Sequence, residues 1–100
     1  MNAYNRGDAG RRAAAEIRRN ASELGISLRE EMRHLGLNTN ALLWTWEHGG
    51  HDLTSAALYA LWLGGYDIVY IVTGVREADP EAARAANAYQ RKKRKLVVTG

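Results

Sequence analysis

The chain has 100 residues, 46% of them hydrophobic and 25% charged, with no cysteine and a formal net charge of +3. That length suits one domain with a modest core, and the lack of cysteine excludes disulfides and cysteine-ligated zinc. No apolar run approaches the roughly 20 residues of a membrane span and the first residues lack a signal-peptide core, so a soluble, cytoplasmic protein is expected.

The charge is unevenly spread. Residues 1–46 hold seven Arg and five acids (+2), residues 47–90 hold two Arg and six acids (−4), and Arg91 to Lys95 add +5. The middle of the chain is acidic, so a polyanion would meet the ends.

Residues 1–10 contain two Gly and two Asn without an apolar period and read as a flexible N-terminal arm. Arg6, Arg11 and Arg12 sit where such an arm either touches phosphates or lies in water. From Arg11 to Leu24 the positions Ala14, Ile17, Ala21 and Leu24 recur with helical period, and Gly25 ends the helix. Arg12, Arg18 and Arg19 fall on or near its outer side. Ser27 with Glu30 is a capping box that starts a second helix, whose stripe is Leu28, Met32 and Leu35. Arg29 and Arg33 lie outside that stripe.

Gly36 can take the positive φ that ends a helix, and Asn38 or Thr39 can cap a third one running to His48 before Gly49-Gly50. Two short helices around a glycine-bearing turn form the helix-turn-helix, whose second helix can lie in the major groove of DNA. Leu42 or Leu43, together with Trp46, must face the core. Thr39, Asn40, Trp44, Thr45 and His48 are then the candidates for the exposed face.

Thr54 caps a fourth helix over 55–63, with Ala57, Leu58, Leu61 and Trp62 apolar and Gly64-Gly65 at its end. In Tyr66-Asp67-Ile68-Val69-Tyr70-Ile71-Val72-Thr73, seven of eight residues are β-branched or aromatic, which predicts a strand over 67–73. A lone strand needs a partner, and its own copy in a second subunit is the obvious one. Ile68, Val69, Tyr70, Ile71 and Val72 would then form the dimer interface. Asp79-Pro80-Glu81 starts a C-terminal helix, and the run 91–95 supplies cations at its end. Leu96 to Thr99 reads as a short strand or a frayed end.

The order of these pieces resembles the Cro/lambda-repressor-type helix-turn-helix family over roughly residues 16–74. Leu24-Gly25-Ile26-Ser27, Leu35-Gly36-Leu37-Asn38, Trp46-Glu47-His48-Gly49 and the pair Leu58 and Leu61 carry the likeness. The ending Gly65-Tyr66-Asp67-Ile68-Val69-Tyr70-Ile71-Val72-Thr73-Gly74 is similar to that of a phage and prophage subgroup, as Gly-x-Asp-x-x-Tyr-x-x-Thr-Gly. This chain departs from the family in three places. It has one residue more than the usual spacing from Gly36 to Glu47. Met32 stands where a small residue is usual, and His51-Asp52-Leu53 replaces the usual Pro before the fourth helix.

The resemblance implies a mainly α-helical, lambda-repressor-like bundle of four to five helices with the short C-terminal strand. Its helix-turn-helix domain would span 11–75, followed by a C-terminal helix and basic tail over 76–100. It also implies a nucleoid-associated homodimer that binds double-stranded DNA specifically, as a phage-type transcriptional repressor on a palindromic operator. Arg29, Arg33 and backbone groups would hold phosphates, while Asn38, Thr39, Asn40, Trp44, Thr45 and His48 would face the groove. Asn40 suits adenine, and Thr39 and Thr45 suit base edges or a thymine methyl. Trp44 either packs on sugar–phosphate or joins the core. The run 91–95 either contacts nucleic acid or is solvated.

His48, His51 and Asp52 are close in sequence, but with two imidazoles and no cysteine they read as surface loop residues, so no metal or cofactor is expected. Glu47 and Asp67 fit turn and capping roles, and no nucleophile–base pair or phosphate loop appears, so no enzyme is expected. Two other functions share this scaffold: a protein-binding adaptor or inhibitor, and the antitoxin of a toxin–antitoxin pair.

Overall fold

The computed structural model describes residues 7–37 and 40–76. Five helices follow one another: α1 (Asp8–Leu24), α2 (Leu28–His34), α3 (Asn40–His48), α4 (Ser55–Leu63) and α5 (Ile68–Thr73). Among the described residues there is no strand, and the architecture is a compact all-α bundle. No helix among them is long and apolar enough to cross a membrane. The C-terminal helix expected from Pro80, the basic run 91–95 and the segment 96–99 lie outside the described residues.

The bundle is assembled around α1, which packs on α2, α3 and α5, while α4 packs on α5. Small side chains make this possible. Ala9, Gly10, Ala13, Ala14 and Ala21 are buried along α1 with Ile17 as the one large apolar residue, beside the buried Glu16. A Cβ at Gly10 would come within 3.2 Å of the Trp46 carbonyl oxygen, so α1 and α3 approach closely there. Met32, Leu35, Leu43, Trp46, Ala57, Leu61, Tyr66 and Ile71 fill the rest of the core.

Most helix starts follow local chemistry. Ser27 Oγ accepts from the Glu30 N–H at 3.0 Å and Thr54 Oγ1 from the Ala57 N–H at 3.1 Å, each satisfying a donor that the helix leaves free. Gly36 takes φ 71°, and the Leu37 N–H returns to the Met32 carbonyl at 3.0 Å, closing α2.

Three expectations change. Of the arm expected over 1–10, residues 1–6 lie outside the described residues and 8–10 are helical: Ala9 and Gly10 are buried in α1 and the Arg11 N–H bonds the Gly7 carbonyl at 3.1 Å. Leu24 is half exposed and adds little to the core. The strand expected over 67–73 is the helix α5. Asp67 caps it, accepting from the Tyr70 N–H at 3.0 Å, and Gly74 closes it with its N–H on the Tyr70 carbonyl at 2.7 Å. Ile68 and Ile71, three residues apart, then share the core-facing side. Arg12 supplies what a six-residue helix lacks: its Nε and Nη2 donate to the Ile71 and Val72 carbonyls at 2.8 and 3.0 Å. Strand propensity is mainly a statement about packing, and here tertiary contacts override it.

The same finding removes the strand-paired interface. Ile71 is fully buried within its own bundle, and Ile68 and Tyr70 are partly buried against the core. The guanidinium of Arg76 lies 3.6 Å from the Tyr70 ring centroid. Val72 gives its carbonyl to Arg12. Of the five residues, Val69 alone is strongly exposed, at 66%.

Candidate nucleic-acid interface

The register of α3 decides the site. Leu43 and Trp46, three residues apart, are both buried, whereas Leu42 is only partly so. At 3.6 residues per turn, that choice turns Ala41, Trp44, Thr45 and His48 away from the core. Trp44 is 61% exposed, Ala41 and His48 are exposed, and Thr45 is half-buried. Trp44 is therefore a surface residue. Asn38, Thr39 and the Asn40 side chain lie outside the described residues.

Trp44 and His48 stack, with ring centroids 4.8 Å apart and planes 26° from parallel. His48 Nδ1 lies 3.1 Å from the Trp44 carbonyl oxygen, and Thr45 Oγ1 donates to the Ala41 carbonyl at 3.0 Å. Two of the polar groups on this face are thus engaged by the helix itself.

The orientation of α3 is held from α1. Arg18 donates to both Glu47 oxygens, at 2.7 and 3.2 Å, tying the middle of α1 to the last turn of α3. Hydrogen bonding to Arg18 holds the Glu47 carboxyl below its ordinary pKa and raises that of Arg18. The expected turn role of Glu47 becomes a long-range ion pair.

The position of α2 rests on a buried polar cluster. Glu31 is fully buried and accepts from the Tyr66 hydroxyl and, at 2.9 Å, from Asn20 Nδ2. The Asn20 amide also donates to the Tyr66 oxygen at 3.1 Å, so α1, α2 and the α4–α5 turn meet there. No described buried polar side-chain atom lacks a partner. Sequence reasoning passed over Glu31, although it falls on the stripe of Leu28, Met32 and Leu35 at helical spacing.

The arginines divide into two groups. Arg11 pairs with Asp8, Arg19 with Glu16 and Glu23, and Arg76 with Glu16, while Arg12 is held by carbonyls. Bonding to Glu16, then Glu23, raises the Arg19 pKa. Arg29 and Arg33 are exposed on α2, and neither guanidinium has a hydrogen-bond acceptor or ion-pair partner among the described residues. These are the cations α2 offers to an external anion. Arg18 lies on the outer side of α1 as expected, with its guanidinium engaged by Glu47, while Arg12 is partly buried and bonds the carbonyls of α5.

Behind α3 lies an open hollow of about 330 Å³ whose lining includes Leu37, Leu42, Trp46, His51, Asp52 and Ala57. His48 and His51 belong to no group of three or more His, Asp or Glu side chains able to hold a metal, among the described residues. Comparisons with protein families, with curated proteins and with solved structures return no match for this chain.

Proposed function

We propose that this protein is a sequence-specific, double-stranded-DNA-binding transcriptional regulator of the Cro/lambda-repressor type. One observation carries the reading: the short hairpin α2–α3 presents unpaired cations on its first helix and an outward aromatic face on its second. Cations without internal carboxylate partners are what phosphates engage, and an outward helix face of this length fits a major groove. On this reading Trp44, Thr45 and His48, with Ala41, face the groove; their positions turned away from the core support it. Asn38, Thr39 and Asn40 complete the set from the sequence reading.

The protein acts as a homodimer on a palindromic operator, with half-sites about 34 Å apart. In place of strand pairing, the supporting feature is the surface of α4 and α5. Residues 53–75 contain one charge, Asp67, and Tyr59 and Trp62 stand 62% and 45% exposed on α4 with Val69 exposed on α5. A helix apolar on every side is normally covered, and an uncharged face meets its own copy without like-charge repulsion. The same face gives a second reading its support, that of an adaptor or antitoxin docking a protein partner.

Selection from random duplex fragments at two salt concentrations tests the proposal. Enrichment of a roughly palindromic site, with affinity falling steeply as salt rises, is the expected result. Absence of binding at both salts would overturn it in favour of the protein-partner reading. Tyr59→Glu with Trp62→Glu, assayed by sedimentation, is expected to leave a folded monomer.

A further inference from the structure

The geometry points to α3 reading the C5-methyl group of pyrimidines in the major groove, thymine foremost, through the Trp44–His48 stack. The inference rests on the DNA-binding reading above and names what its recognition face selects. It follows from what the outward positions of α3 still have to offer.

None of Ala41, Trp44, Thr45 and His48 is an arginine or lysine, so these positions lack the bidentate donor that reads N7 and O6 of guanine. The Thr45 hydroxyl proton is directed to the Ala41 carbonyl. A carbonyl oxygen only accepts, so His48 Nδ1 carries the proton in its contact with the Trp44 carbonyl. In the neutral ring, Nε2 is then an acceptor. Among these four described residues, the indole N–H of Trp44 is the remaining side-chain donor.

What else these four residues show is apolar: the Ala41 methyl and a two-ring slab whose larger member is 61% exposed. Thymine is the one standard base with a methyl in the major groove, and its adenine partner shows an N6 amino group there. A methyl against the slab and an N6 donor facing His48 Nε2 match an A·T pair. A G·C pair has no methyl to bury, and 5-methylcytosine restores one.

Three random duplex pools distinguish these cases: one with thymine, one with uracil throughout in its place, and one with uracil and 5-methylcytosine. Uracil removes the methyl and leaves every hydrogen-bonding edge intact. The thymine pool is expected to bind about fourfold tighter for each methyl contacted. Trp44→Ala, at an exposed position, should bring affinity for the thymine pool down to that for the uracil pool, and a thymine preference that survives it would overturn the inference. Recovery with 5-methylcytosine assigns the chemistry to any C5-methyl, and no recovery assigns it to thymine; both support the inference. Equal binding of the thymine and uracil pools by the unmodified protein would overturn it. Absence of binding to every pool at low salt would instead overturn the DNA-binding reading itself.

Discussion

In both helical hairpins, α2–α3 and α4–α5, the first helix is followed by a glycine of positive φ, Gly36 at 71° and Gly65 at 88°. In both, the next N–H returns to a carbonyl five residues back, Leu37 to Met32 and Tyr66 to Leu61. The backbones are alike and the surfaces are not. α2 carries Arg29, Glu30, Glu31 and Arg33, whereas α4 has no charge and α5 none beyond its cap. The same turn chemistry thus carries two kinds of surface: one hairpin has exposed cations and an outward aromatic face, the other an uncharged, largely apolar face. Apart from the buried Glu31, the difference lies in outward residues that the fold does not require.

The sharpest way to break this comparison is to attack the inner side of α5. Ile71→Ala is expected to cost about 2–5 kcal/mol in urea denaturation, whereas Val69→Ala should stay within about 0.5. Equal losses at the two positions would mean that α5 is not a helix with one buried side. On the other hairpin, Arg29→Ala with Arg33→Ala should weaken duplex binding about tenfold. The slope of log affinity against log salt should fall by about 0.9 for each phosphate that is no longer neutralised. An unchanged slope would make the charge contrast between the hairpins irrelevant to function.

A smaller effect sharpens the account of α5. Asp67→Ala removes the cap on the Tyr70 N–H and should cost about 1 kcal/mol, while Asp67→Asn should recover most of it. Smallest is the Arg18–Glu47 pair, which is partly exposed, so Glu47→Gln should cost less than about 1 kcal/mol at neutral pH. Because Arg18 lowers the folded-state pKa of Glu47, this contribution is present above the unfolded carboxylate's pKa. It fades as pH falls through the lower folded value, where the two proteins should unfold alike. A pH series of denaturation midpoints for both proteins measures this.

Local chemistry made much of the bundle legible from sequence alone. Ser27 and Thr54 mark helix starts because an unpaired N–H three residues on needs an acceptor. Gly25 and Gly36 mark ends, and the spacings of Ala14, Ile17 and Ala21 and of Met32 and Leu35 locate buried sides. Candidate phosphate contacts at Arg29 and Arg33 were legible for the same reason, since they lie off their helix's apolar stripe. Tertiary contacts decided the rest. Leu42 and Leu43 are adjacent and equally apolar, and packing against α1 selects Leu43, which in turn exposes Trp44 and brings Ala41 into the site. The partners of Arg12, Arg18 and Arg76 lie 59, 29 and 60 residues away, beyond any local pattern. For residues 67–73, side-chain composition favours a strand, but a cap at Asp67, an inward pair at Ile68 and Ile71, and Arg12 on the last carbonyls favour the helix.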